Sequence, residues 1–115
     1  MDTIARSFAE FAVNLKYEDL PSEAILEAKR YLLDSIGCAL RGSLSEDFTI
    51  LLKVLNELGG IPESTIIGSG YKTNCYYAAL ANSLLIRVLD YNDIYWKQDP
   101  SHPSDLIPSA LSTGE

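Results

Sequence analysis

Between Leu89 and Ser104 the chain reads LDYNDIYWKQDPSHPS, gathering three carboxylates, Asp90, Asp93 and Asp99, around the protein's only histidine, His102. An imidazole beside carboxylates titrates near neutral pH, the property a proton-transfer catalyst requires. Asp90 and Asp93 stand three apart at the end of an apolar run, Asp99 follows Lys97 and Gln98, and His102 lies between Ser101 and Pro103. Ordinary structure also accounts for these residues. A lone histidine in a proline-rich loop is more often a packing residue, and paired aspartates after an apolar helix commonly terminate and solvate it. No other segment carries the residue types of a catalytic site.

Other chemistries find less support. One histidine and several aspartates could ligate a divalent ion, but there is no HxH, HExxH or Cys/His spacing, and no metal is expected. The glycines at Gly68 and Gly70 do not belong to a GxxxxGK[ST] phosphate loop. Tyr95 and Trp96 are amphipathic aromatics that suit a pocket wall or a subunit contact equally well. Lys97 either attracts an anionic substrate or is a solvated loop residue.

The elements that must position this loop read as helices. Ile4, Phe8, Phe11, Ala12 and Leu15 recur at helical spacing from Thr3 to about Leu15. After a break at Lys16 to Leu20, Pro21 suits the first turn of a second helix that runs to about Leu40 and is expected to be central. Within it Asp34 reads as an exposed or capping carboxylate. Gly37 weakens a helix interior by about 1 kcal/mol, which predicts close approach by another backbone. A third helix spans Ser45 to Leu58 and stops at Gly59-Gly60. Ser64 to Gly68 is β-branched and short, a brief extended segment. Asn74 caps a fourth helix running to about Leu89, whose small residues Ala78, Ala79, Ala81 and Ser83 predict tight helix contact. Leu106 to Glu115 begins a fifth helix, with Pro108 near its first turn.

At 115 residues the chain is about one domain, able to bury roughly two thirds of the surface its unfolded form exposes. Its 47% hydrophobic content is that of a globular protein, and no apolar run approaches the ~20 residues of a membrane span. Met1-Asp2-Thr3 leads into Arg6 and Glu10 without the apolar stretch of a secretory leader. With 16 acids against 9 bases the net charge is −7, so a nucleic-acid surface would have to be built against the overall field, and neither nucleic acid nor membrane is expected as a partner. Cys38 and Cys75 form no CxxC pair and read as small hydrophobes in a reducing cytoplasm, with a single disulfide left open.

Taken in order, LLDSIGCAL, Gly42, the helix ending in two glycines, TIIGSG, AALANSLL, LDYND and HPS resemble the N-terminal part of the MmgE/PrpD family, over nearly the whole chain from about Ile4 to Glu115. That family includes 2-methylcitrate dehydratases, cis-aconitate decarboxylases and iminodisuccinate epimerases. The resemblance implies an all-α fold of about five helices with one short extended segment. Residues 1–115 would then be part of the family's N-terminal helical domain, the C-terminal remainder and the lid domain lying outside this chain. It also implies a homodimer and a cofactor-free reaction that moves a proton next to a carboxylate of a small di- or tricarboxylate and expels water or carbon dioxide.

Residue by residue, the resemblance makes His102 and Asp90 the catalytic pair, with Asp93, Ile94 and Lys97 on the substrate side. Where family members commonly carry Asp-Phe-Asp-Asp-Thr, this chain has Asp90-Tyr91-Asn92-Asp93-Ile94, and Ile94 cannot donate a hydrogen bond to a substrate carboxylate. Such a substrate also demands converging cations, whereas Arg6, Lys29, Arg30, Arg41 and Arg87 are scattered along the chain. The expected function is therefore an N-terminal portion of a lyase, inactive by itself. The alternative is a non-catalytic helical interaction module or a decayed member of the same family.

Overall fold

The computed structural model describes residues 3–115; Met1 and Asp2, with which the expected domain begins, lie outside the described residues. Five α-helices follow in order: α1 (Ile4–Asn14), α2 (Ser22–Gly42), α3 (Glu46–Leu58), α4 (Cys75–Arg87) and α5 (Ile107–Gly114). Between α3 and α4 lies a small hairpin of β1 (Ser64–Thr65) and β2 (Lys72–Thr73), antiparallel, with Ser64 opposite Thr73. Short 3₁₀ turns occupy Tyr17–Asp19 and Pro103–Asp105. The extended segment expected at Ser64 is thus one arm of a hairpin whose second arm, at Lys72, carries no β-branched run that would announce it.

The caps explain the helix limits. The side chains of Thr3, Ser45 and Asn74 accept hydrogen bonds from the backbone N–H groups of Arg6, Phe48 and Tyr77, each satisfying a donor that has no partner inside its helix. Gly59 ends α3 with φ of 70°, a conformation glycine adopts without steric cost. Helix α4 stops at Arg87, two residues before the expected limit, because the chain turns sharply there.

The central element is α4, not α2 as the sequence reading expected. It packs against α2, α3, α5, both strands and the second 3₁₀ turn. Ala78, Ala81, Leu85 and Ile86 of α4 are buried with Cys38 and Ala39 of α2, Phe48 and Leu55 of α3, and Ile66 after β1. Small side chains on α4 let its neighbours come near, and buried Asn82 uses its polar end on the backbone. Its Oδ1 accepts from the Ile67 N–H at 2.9 Å and its Nδ2 donates to the Thr65 carbonyl at 3.0 Å. A buried amide satisfied in this way pins the hairpin to α4, whereas an unsatisfied one would be destabilising.

The close backbone approach expected at Gly37 lies instead at Gly42. A Cβ on Gly42 would sit 2.1 Å from the Leu85 carbonyl oxygen and 3.0 Å from Val88 Cγ1, while one on Gly37 would meet nothing within 4 Å. Gly37 is on the exposed side of α2; Gly42, buried, is where α2 crosses the C-terminal half of α4.

Much apolar surface stays open. Helix α1 has the expected stripe but buries none of it, with Ile4 78% and Phe8 70% exposed. An open groove of about 330 Å³ runs along the first half of α2, lined by Tyr17, Leu20, Ile25, Leu32 and neighbours. A larger one, about 650 Å³, lies between Ile36, Ile67, Asn82 and Leu111.

Helix α5 is tied to the hairpin at two points. The buried Ser64 hydroxyl donates to the Ser112 carbonyl at 2.6 Å. The Glu115 carboxylate accepts from the Thr65 N–H at 2.7 Å and from the Thr65 hydroxyl, and pairs with Lys72 Nζ at 2.9 Å. The hydroxyl of Thr65, then the Lys72 ammonium and the Thr65 N–H, hold the Glu115 carboxyl down at about 2.

Two outcomes follow from this packing. Gly42→Ala should lower stability by about 1–3 kcal/mol through overpacking against Leu85, whereas Gly37→Ala should raise it by up to about 1 kcal/mol through helix propensity, both read from urea unfolding midpoints. The pKa of Glu115 is lower in the folded chain than its ordinary 4.5, so its stabilising contribution is complete above that value and disappears as the pH falls toward about 2. Thermal unfolding across that range should therefore fall more steeply for the unaltered chain than for Glu115→Gln.

Candidate functional site

The loop that carries the histidine begins where α4 ends. Asp90 donates its N–H to the Arg87 carbonyl at 2.9 Å and adopts φ of 52°, the left-handed region that aspartate tolerates better than most residues. From Asp90 the chain runs out and returns upon itself through a series of nested ties. Arg87 Nη1 lies 3.8 Å from Asp105 Oδ1. Inside that pair, Asn92 Nδ2 donates to Ser104 Oγ at 2.8 Å and to Asp93 Oδ1 at 3.4 Å. The Ser104 N–H donates to both oxygens of the Asp93 carboxylate, at 3.1 and 3.3 Å. Further out, Tyr95 and Ser101 exchange two backbone hydrogen bonds of 2.8 and 3.0 Å. The tip, residues 96–100, is exposed and bears Lys97 and Asp99.

His102 is half-buried on the returning arm. Its Nδ1 stands 2.5 Å from the main-chain carbonyl oxygen of Asp93. A carbonyl oxygen only accepts, so Nδ1 carries the hydrogen and, in the neutral ring, Nε2 keeps its lone pair. The sequence reading paired His102 with Asp90. The hydrogen bond of His102 goes to Asp93 instead, and the exposed Asp90 carboxylate makes no hydrogen bond or ion pair among the described residues. Asp93, expected on the substrate side, turns its carboxylate onto the Ser104 N–H. Ile94 is 49% exposed on the outgoing arm, and Lys97 is at the tip.

Asn92 and Ser104 were not assigned chemistry from sequence, although both lie inside motifs that were noticed. Ser104 is the serine of His102-Pro103-Ser104, and Asn92 sits between Asp90 and Asp93. Their side chains meet only because the loop doubles back.

The 3₁₀ turn after His102 seats the loop on α2 and α4. Tyr91 comes near the Cys38 thiol of α2. Cys38 is 2% exposed; burial pushes its thiol pKa up, the nearby charges of Asp34 and Asp93 push it further, and the polar end of Tyr91 partly opposes them. Both cysteines are free. Neither open groove is lined by a loop residue. Among the described residues no group of three or more His, Cys, Asp or Glu side chains is arranged to hold a metal ion, and no helix is long and apolar enough to cross a membrane.

Four basic side chains pair with carboxylates among the described residues. Arg6 pairs with Glu10, Arg30 with Glu27, Lys72 with Glu115 and Arg87 with Asp105.

Comparison with known proteins agrees with the order of motifs in the chain. A family model described as the MmgE/PrpD N-terminal domain matches residues 6–115. The chain is 28% identical over 116 residues to a cis-aconitate decarboxylase of Aspergillus terreus, an alignment covering 97% of this chain and 23% of that protein. It is 30% identical over 95 residues to a probable 2-methylcitrate dehydratase of Saccharomyces cerevisiae, covering 82% of this chain and 18% of the relative. To the human cis-aconitate decarboxylase it is 27% identical, with 97% and 23% covered. The chain thus spans less than a quarter of the length of these curated relatives.

The contrast between the two thiols is measurable. A thiolate is the species that alkylates, and Cys38 is both buried and shifted away from it. In native protein at neutral pH iodoacetamide should modify Cys75 well before Cys38, and the difference should vanish in denaturant, with mass spectrometry locating the adduct.

Proposed function

The chain belongs to the MmgE/PrpD family, and on that premise we propose that it carries one half of the active site of a lyase acting on a small di- or tricarboxylate. The observation that carries this reading is the hydrogen bond from His102 Nδ1 to the Asp93 carbonyl, which leaves Nε2 as the proton-accepting nitrogen on a partly exposed ring. A base of this kind can take a proton from carbon next to a carboxylate. In a dehydration the hydroxyl on the neighbouring carbon then leaves and, with a proton, becomes water; in a decarboxylation the ring works in the opposite sense, its protonated form giving a proton to the carbon whose electron pair is freed as carbon dioxide departs, and neither route needs a redox cofactor.

Asp90 is the second catalytic group in this reading. Its carboxylate is exposed, has no hydrogen-bond partner among the described residues and projects from a backbone in the left-handed region, where a residue other than glycine carries a conformational cost of order 1–3 kcal/mol. Held there, it can accept a proton or stabilise the imidazolium once His102 is charged. Ile94 and Lys97 line the approach to the loop, Lys97 supplying positive charge. Further cations for the substrate's carboxylates come from elsewhere in the complete polypeptide, because four of the nine basic side chains are engaged with Asp or Glu.

A homodimer in the cytoplasm completes the proposal. The exposed apolar stripe of α1 is the kind of surface that makes protein contacts, and the two free thiols suit a reducing compartment. That stripe also favours the second reading, a helical interaction module without catalysis.

Turnover decides between them. Within its complete natural polypeptide, this chain should convert 2-methylcitrate or cis-aconitate, with His102→Ala slowing the reaction by about 10²–10⁴-fold, the usual worth of a general base. Asp90→Asn tolerates the same left-handed backbone, so a fall in kcat with that variant reports the lost charge and not a rearranged turn. A folded protein that turns over neither substrate would leave the interaction module as the better account, and a fully active His102→Ala would remove His102 from the reaction.

A further inference from the structure

We propose that Asp93 is a positioning residue: its carboxylate, clamped with Asn92 and Ser104, fixes the loop so that its own carbonyl selects the Nδ1–H tautomer of His102. This inference rests on the reading of His102 as the proton-transferring group, but concerns how that group is prepared.

The argument starts from the two arms of the loop. A main-chain carbonyl can dictate a histidine tautomer only if the residue that bears it is held still relative to the ring. Asp93 and His102 are nine residues apart, on opposite arms, with an exposed tip between them. The Asp93 carboxylate crosses to the returning arm and takes the Ser104 N–H on both oxygens, at 3.1 and 3.3 Å. Asn92 crosses in parallel, its amide donating to the Ser104 hydroxyl at 2.8 Å and back to Asp93 Oδ1 at 3.4 Å. Ser104 is 1% exposed, so these bonds are shielded from competing water and keep more of their strength than exposed ones would. Two residues upstream of this fixed serine, with only Pro103 between, stands His102. Proline restricts the backbone of the residue before it, so immobilising Ser104 also fixes the course of the chain at His102.

The consequence is directional. In a histidine side chain free in water the Nε2–H tautomer predominates, which would place a hydrogen on the nitrogen that faces away from Asp93 and leave it unable to accept a proton. The Asp93 carbonyl reverses that preference by giving the Nδ1 hydrogen a partner at 2.5 Å. Asp93 thereby acts on the reaction through His102 and does not itself touch substrate. Its carboxylate is occupied, which separates its role from that of Asp90.

His102 is the only histidine of the chain, so a ¹⁵N-histidine-labelled sample gives one pair of ring-nitrogen resonances. At a pH where the imidazole is neutral, the unaltered chain should show Nδ1 with the shift of a protonated nitrogen and Nε2 with that of an unprotonated one. Asp93→Ala should move both toward the free-histidine pattern. Asp93→Asn, which keeps an acceptor for the Ser104 N–H, should hold a position nearer the unaltered chain. Helix content by circular dichroism accompanies each variant. An Nε2–H pattern in the unaltered chain overturns the proposal without requiring any variant to fold, and so does an unaltered Nδ1–H pattern in a folded Asp93→Ala. The readout needs no turnover: a catalytically silent protein with the Nδ1–H tautomer would overturn the lyase reading alone, and an active one with the Nε2–H tautomer would overturn this inference alone.

Discussion

At Gly42 the backbone of α2 lies so near the Leu85 carbonyl of α4 that no side chain fits between them. Close approach of two helices at a hydrogen-only residue sets their separation and crossing more firmly than interlocked side chains would, because backbone cannot choose another rotamer. Ala78 and Ala81 extend the same contact along α4, and Asn82 fastens the hairpin to it. With α4 set in this way, the point at which Arg87 leaves the helix, and hence the origin of the histidine loop, is fixed relative to α2.

The loop then converts a helix end into a chemical arrangement. Its ties are mostly short, local and polar, and they work in series: the left-handed turn at Asp90, the cross-loop bonds of Asn92 and Asp93 to Ser104, and the backbone bridge between Tyr95 and Ser101. Ion pairing adds little by comparison. Arg87 and Asp105 are exposed and 3.8 Å apart, a geometry worth well under about 1 kcal/mol. Hydrogen bonds at a buried serine, one from the Asn92 amide and two to the Asp93 carboxylate, are the stronger constraint here, since water competes less for them.

The distribution of apolar surface separates two parts of the molecule. Around α4 the core is closed, from Cys38 and Ala39 to Phe48, Leu55 and Ile66. Along α1 and the first half of α2 the apolar residues recur at the same helical spacing but face open space. Amphipathic periodicity identifies a helix and its sticky side without naming what that side meets. For the same reason the sequence promised a core role for α2, whereas burial is concentrated on α4 and on the C-terminal half of α2.

All five helices, the cap at Asn74, the glycine stop at Gly59 and the placing of His102 in a carboxylate-rich loop were legible in the residues themselves, because each depends on contacts within a few positions along the chain. The order of motifs was enough to indicate the family. What tertiary structure alone decided is which groups meet: Gly42 and not Gly37 against another backbone, β2 opposite β1, and above all the carbonyl of Asp93 as the hydrogen-bond partner of His102. The physical reason is common to these cases. Each is a pairing across a turn or between elements, and its partner is selected by how far the chain doubles back, which residue type and local spacing do not encode. A backbone carbonyl in particular is present at every position, so its choice as the partner of an imidazole leaves no mark in the sequence.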